Sequence, residues 1–299
     1  MGGFHATTLE SEQLQLRVWD SDPTRATVGT LEEALDGAEA VVIATPAPTH
    51  AALVKRCVEQ RLPVFCEKPL DIDLAKSIAL VELIEQAGGV VRMGFQRRFD
   101  ASFVKARATL HREGMGRCHA FAMTSFDRTL PPPEFVATSG GLFRDMHVHD
   151  FDSIRWLFDQ EVIEVQAIGT AVDAMFAKHD DVDTSAVLLR LAGGTLGTIA
   201  GGRANPAGYT ARLDVYGCSE SVSVREDRTY ADFLDRYAEA YRAEIRSFLG
   251  VARGDVDVAS TARDALEALR VAEAAELSRR ESRPVAVAEI PTAKARPAV

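Results

Sequence analysis

At 299 residues the chain is too long for one small domain and suits two. Hydrophobic residues make up 46%, enough for sizeable cores, and a net charge of −10 gives no electrostatic basis for nucleic-acid binding. No apolar run approaches the roughly 18 residues a membrane span needs, and Met1-Gly2-Gly3-Phe4-His5 lacks the basic and apolar regions of a signal peptide. Cys57, Cys66, Cys118 and Cys218 are scattered with no C-x-x-C pair, as expected of reduced thiols in a cytoplasmic protein and not of a zinc site.

Residues 14–20 alternate as a strand does and end in Asp20, after which Asp22-Pro23 turns the chain. Residues 31–35 read as helix. Residues 40–44 read as a buried strand closed by Thr45-Pro46, and residues 50–60 as a helix with Leu53, Val54 and Val58 on one face. Val64-Phe65-Cys66 is a third strand, apolar on both faces, that runs straight into Glu67-Lys68-Pro69. Residues 74–87 form another helix, stopped by Gly88-Gly89, and residues 90–95 a fourth strand. Strands alternating with helices indicate an α/β fold with a doubly wound, Rossmann-type parallel sheet. Ligands bind outside the carboxyl ends of such strands, so Lys68 points into that crevice; a solvated loop lysine is the plainer alternative. Asp20 is placed to bind the adenosine ribose hydroxyls, which would favour NAD over NADP; a plain turn aspartate is the alternative.

Beyond Phe99 the rhythm changes. Residues 103–111 read as helix and residues 119–126 as strand, and Pro131-Pro132-Pro133 stiffens a loop. Residues 145–158 read as one helix with Phe151, Ile154, Leu157 and Phe158 on an apolar face, which brings Asp145 and His149 together one turn apart. Strands follow over residues 162–170, 184–191, 195–201, 211–216 and 221–224, with Gly193-Gly194 as a tight hairpin. Few helices separate them, so this sheet is expected to be open and mainly antiparallel. Residues 231–251 and 262–280 are closing helices. The boundaries expected from this pass are a dinucleotide-binding domain over residues 1–98, a substrate and oligomerisation domain over 99–290, and a loose tail over 291–299. His147-x-His149 has metal-ligand spacing for a strand, but on a helix the two rings take different faces, so no metal is assigned. His147 is expected at the surface or at a domain contact, and His5, His111, His119 and His179 in structural roles.

These stretches together resemble the Gfo/Idh/MocA oxidoreductases, and the inositol 2-dehydrogenase branch in particular. Met1-Gly2-Gly3-Phe4-His5-Ala6 looks like the end of that family's glycine loop. Ala44-Thr45-Pro46-Ala47-Pro48-Thr49-His50 resembles its cofactor turn, and Cys66-Glu67-Lys68-Pro69 its E-K-P signature. Gly94-Phe95-Gln96-Arg97-Arg98-Phe99 and the run from Gly140 to Asp152 match two further motifs. The resemblance implies NAD-dependent oxidation of a polyol or sugar hydroxyl by Lys68, Asp145 and His149. It implies cofactor contacts at Gly2, Asp20, Thr45, Pro46, His50, Glu67 and Lys68. Substrate contacts are implied at Lys68, Arg97, Asp127, Asp145, His149 and Tyr209. It also implies pairing of the open sheets in a homo-oligomer, a dimer or tetramer. The chain departs from the inositol pattern at Gln96, at Thr210-Ala211 and over Phe126-Asp127-Arg128, which leaves the particular polyol open.

No strand and no G-x-G turn precede Asp20, so the natural protein is expected to start upstream, with Met1 inside the glycine loop. The competing expectation is a catalytically silent sugar-binding or regulatory relative that lost the cofactor's phosphate loop. A metal-dependent hydrolase built on His147 and His149 is a third.

Overall fold

The computed structural model describes residues 1–255 and 260–293. In chain order its helices and strands are α1 (Gly2–Ser11), α2 (Leu31–Leu35), β1 (Val41–Ile43), α3 (His50–Glu59), β2 (Val64–Glu67), α4 (Leu74–Ala87) and β3 (Val91–Gly94). These are followed by α5 (Ala101–Leu110), β4 (Cys118–Phe126), α6 (Pro133–Val136), α7 (Val148–Phe158), β5 (Val162–Thr170), α8 (Ala174–Ala177), β6 (Thr184–Leu191) and β7 (Leu196–Gly202). The last are β8 (Thr210–Gly217), β9 (Ser221–Val224), α9 (Phe233–Ala252), α10 (Ala262–Glu281) and β10 (Val285–Ala286). No helix among the described residues is long and apolar enough to cross a membrane.

Two compact units emerge, and they do not follow the linear boundary at residue 98. The first contains Met1–Gln96 together with the described part of Tyr241–Leu266 and Ala293; the second contains Arg97–Ala240 and Glu267–Thr292. The reason lies in α9. Its Ile245 and Phe248 are buried in one cluster with Leu9 and Phe65, and Leu14, Leu16 and Val42 pack against that cluster. The expected loose tail is also partly tied down: Ala293 is buried, and Thr292 Oγ1 donates to Glu267 at 3.1 Å. Residues 294–299 lie outside the described residues.

In the first unit β1, β2 and β3 form a parallel sheet in that order. All four β2 residues are buried, as a central strand covered on both faces requires. A capping box between Thr30 and Glu33 starts α2. Asp73 accepts the Lys76 N–H to start α4, and Gly88, at φ 63°, ends it. Residues 14–20 form no strand. Their side chains keep the alternation, with Leu14, Leu16 and Val18 half-buried, but among the described residues no neighbouring strand offers a ladder. The Val18 carbonyl accepts the Thr27 N–H instead.

The second unit holds a seven-stranded sheet in the order β10-β5-β6-β7-β4-β8-β9, antiparallel except where β4 meets β7. Burial alternates residue by residue along β6, so one face is covered and one is open. On the covered side the Ser278 hydroxyl of α10 accepts the Ala167 N–H of β5 at 2.9 Å. Ile168, Leu188, Leu196 and Tyr216 are exposed. The expected helix over 145–158 divides in two: Phe143–His147 is a π-helical turn, and α7 begins only at Val148.

Candidate active site

The first unit presents the start of α1 and the carboxyl ends of β1 and β2. Gly2 and Gly3 open α1, where N–H groups have no intrahelical partner. Gly2 stands against Ala44, the residue after β1: a Cβ on Gly2 would lie 3.8 Å from the Ala44 Cβ, and a Cβ on Gly3 would meet nothing within 4 Å. Open backbone donors beside the Thr45-Pro46 turn fit the anionic part of a dinucleotide. Asp20 Oδ1 accepts the Asp22 N–H at 2.9 Å, which is the turn expected of it and occupies one of its two oxygens.

His50 and Glu67, two expected cofactor contacts, are taken up by the chain itself. His50 is 1% exposed; its Nδ1 lies 2.7 Å from the Pro69 carbonyl and its Nε2 2.8 Å from the Thr45 carbonyl. With both ring nitrogens occupied, His50 clamps the Thr45-Pro46 turn to the Lys68-Pro69 junction. Glu67 is buried, and its Oε1 lies 2.7 Å from His5 Nε2. His5 therefore does more than fill space: it holds the acid of the E-K-P segment while its ring packs edge-on against Phe65. Gly94 of β3 is needed there, because a Cβ would come within 2.7 Å of Glu67 Oε2. Lys68, next along, is half-buried.

In the second unit the π-helical turn is entered through Gly140 and Gly141, both at positive φ, and Asp181 accepts the Leu142 N–H at 2.9 Å. From Leu142 to Phe158 most residues are buried; Arg144, Asp145, His149 and Trp156 keep partial exposure. Asp145 Oδ2 meets Arg203 Nη1 at 2.8 Å, and the same nitrogen donates to Asp127 Oδ2 at 3.3 Å. Arg203 is 3% exposed. Burial opposes its charge, but Asp145 and Asp127 outweigh that and push the guanidinium above its ordinary value. Two expected residues are thus joined through a third that the sequence reading missed.

Arg97 and Tyr209 are also brought together, but deep in the unit. Arg97 is 2% exposed and donates to Asp150 and, at 3.4 Å, to Ser125. Tyr209 is buried beside it and bonded to it, and burial raises the phenol despite that cation. The Arg97 charge neutralises Asp150. Burial would raise the Asp150 carboxyl, yet Arg97, His147 and Ser125 hold it well below the usual carboxylate range. His147, expected at the surface or at a domain contact, is instead wholly buried, with Nδ1 2.6 Å from Asp150 and Nε2 2.7 Å from the Ser185 hydroxyl. Gly201 makes room for it, since a Cβ there would lie 2.3 Å from the ring. Among the described residues no group of three metal-ligating side chains occurs.

Residues 5–95 match the oxidoreductase family's NAD-binding Rossmann fold model, and residues 103–223 match the Gfo/Idh/MocA C-terminal domain model. An inositol 2-dehydrogenase of Rhizobium meliloti (strain 1021) is 33% identical over 279 residues, spanning 88% of this chain and 84% of the relative. The chain belongs to the Gfo/Idh/MocA oxidoreductase family. Within the family, the crystal structure of a putative myo-inositol dehydrogenase from Sinorhizobium meliloti 1021 superposes with a TM-score of 0.91 at 30% identity, covering 96% of both chains. That of a scyllo-inositol dehydrogenase from Lactobacillus casei, with bound NAD(H) and scyllo-inositol, superposes with a TM-score of 0.79 at 27% identity, covering 86% of this chain and 82% of the other.

Proposed function

We propose that the chain is an NAD-dependent dehydrogenase of a cyclic polyol of the inositol class, oxidising a secondary hydroxyl with Lys68, Asp145 and His149. As a family member it is an NAD-dependent oxidoreductase acting on CH–OH groups. The observation that carries the substrate-side assignment is the segment from Leu142 to Phe158. In this mostly buried run Asp145 and His149 are the partly exposed groups suited to proton transfer, Arg144 being paired with Glu273, and Asp145 is ion-paired with Arg203.

Oxidising an alcohol needs a base for the hydroxyl proton, and imidazole has a suitable pKa near neutral pH. His149 takes that proton on a ring nitrogen, and Asp145 stabilises the resulting imidazolium. The Lys68 ammonium hydrogen-bonds the same oxygen and favours its alkoxide character. Gly2, Thr45, Pro46 and Lys68 would hold NAD, with Asp20 toward the ribose; NAD supplies the hydride-accepting carbon when bound. His50, Glu67 and His5 keep that part of the chain in shape. The exposed residues of the seven-stranded sheet support a homo-oligomer through its open face.

The test is NADH appearance with myo-inositol, scyllo-inositol and an acyclic polyol panel, beside calorimetric titration with NAD. Turnover of a cyclic polyol is expected. Failure to bind NAD would overturn the cofactor assignment; NAD binding without turnover of any cyclic polyol would overturn the substrate class. Lys68→Ala should lower kcat by roughly 100- to 1000-fold, and near-normal turnover would remove Lys68 from the mechanism.

A further inference from the structure

We propose that Arg203 is a positioning residue for proton transfer, holding Asp145 ionised and in place from its buried seat at the exit of β7; this rests on the dehydrogenase reading of Asp145 and His149. The fold builds that seat from elements far apart in sequence. β4 and β7 run parallel, with Phe126 opposite Gly202, so Asp127 and Arg203 leave their strands side by side. Their backbones are tied as well: the Asp127 N–H donates to the Gly202 carbonyl at 3.0 Å and the Arg203 N–H to the Asp183 carbonyl at 2.8 Å. The guanidinium lies above the Phe135 ring, 5.9 Å from its centroid. A buried, fixed cation then meets Asp145 from the π-helical turn and Asp127 from the end of β4, both on Nη1.

Two carboxylates that share one site cannot both stay ionised without a cation between them. An arginine keeps its charge throughout the working pH range, so the cation that faces Asp145 and Asp127 is constant over it. The charged groups that act on Arg203 are Asp145, Asp127 and Asp181 on the loop before β6; His149 follows Asp145 by four residues in the chain. Asp181 takes the Leu142 and Val182 N–H groups on Oδ1, and burial raises its carboxyl above the ordinary value. Arg203 thus holds the Asp145 carboxylate in one orientation on the turn that leads into α7 and His149.

The test compares wild type, Arg203→Met and Arg203→Lys by carboxyl NMR titration, assigned with Asp145→Asn and Asp127→Asn, and by the pH profile of kcat/KM. In Arg203→Met one of the two carboxyls should titrate about one unit or more higher, and the acid limb should move up with it. Its kcat should fall roughly 10- to 100-fold, with the affinity for NAD unchanged. Arg203→Lys keeps the charge but not the planar reach, so it should hold the acid limb and still lose rate. Unmoved carboxyl titrations in Arg203→Met, or a wild-type rate in Arg203→Lys, would overturn the proposal; the lysine variant decides alone if the methionine variant does not fold. A wild type that turns over no polyol, with the carboxyls shifted as expected, would overturn the dehydrogenase reading while leaving the clamp on Asp145 standing.

Discussion

His149 occupies the first turn of α7, a helix in which it and Trp156 keep partial exposure while the other residues are buried. His149→Asn keeps a similar shape and removes the base. It should lower kcat by roughly 100- to 10,000-fold while leaving NAD affinity almost unchanged. The reverse pattern, weak NAD binding with normal kcat, would show that His149 serves the cofactor instead. Asp150, the next residue, lives under opposite rules. It is wholly buried and answers to Arg97, His147 and Ser125 at once. Asp150→Asn leaves Arg97 as an uncompensated buried charge, so urea unfolding at neutral pH should show a loss of about 3–5 kcal/mol. A loss under about 1 kcal/mol would mean that Arg97 finds another partner.

At the scale of elements, α9 decides where the first unit ends. Ile245 is fully buried against Phe65 and Leu9, so Ile245→Ala should cost about 2–5 kcal/mol in thermal or urea unfolding. A nearly neutral effect would restore a first domain that closes at residue 98. The same elements explain what could be read in advance. β2 was legible because Val64, Phe65 and Cys66 run unbroken into Glu67-Lys68-Pro69, a pattern fixed by burial on both faces. Residues 14–20 were misread because alternation specifies which side chains face inward but not whether a neighbouring strand exists to pair with. Arg203 was illegible for a related reason. Its meaning comes from a parallel pairing that brings it to Asp127, 76 residues away, and no local pattern reports that register. Helical spacing separates His147 from His149 and leaves it at the surface or a domain contact, but the Ser185 hydroxyl of β6 and the gap left by Gly201 draw its ring into the core. His5 reads in the sequence as structural and His50 as part of a cofactor turn, whereas their partners are a carboxylate at the end of β2 and two carbonyls, which no local pattern reports.

For the molecule as a whole, the buried ionisable groups fix the pH range over which it stays folded. Asp150 has a depressed pKa in the folded state: burial opposes its charge, but Arg97, His147 and Ser125 together outweigh burial. Its contribution is therefore complete above the unfolded carboxylate value of about 3.9 and is lost as pH falls below it. The alkaline side runs the other way. Burial pushes the Cys57 thiol up to about 11 and Cys66 well above its usual value, and it raises the Tyr209 and Tyr237 phenols. Their contribution is complete below the unfolded values, about 8.5 for the thiols and about 10 for the phenols, and is lost as pH rises past them. Melting temperature should thus be flat between about pH 5 and about pH 8 and fall on both sides. Asp150→Asn tests the acid limb independently of the rest. The variant should melt well below wild type at neutral pH, and the gap should narrow as acid removes from wild type the charge that the variant already lacks. A gap of constant width down to about pH 2 would show that the Asp150 carboxylate contributes no pH-dependent stability, and the acid limb would then belong to other carboxylates.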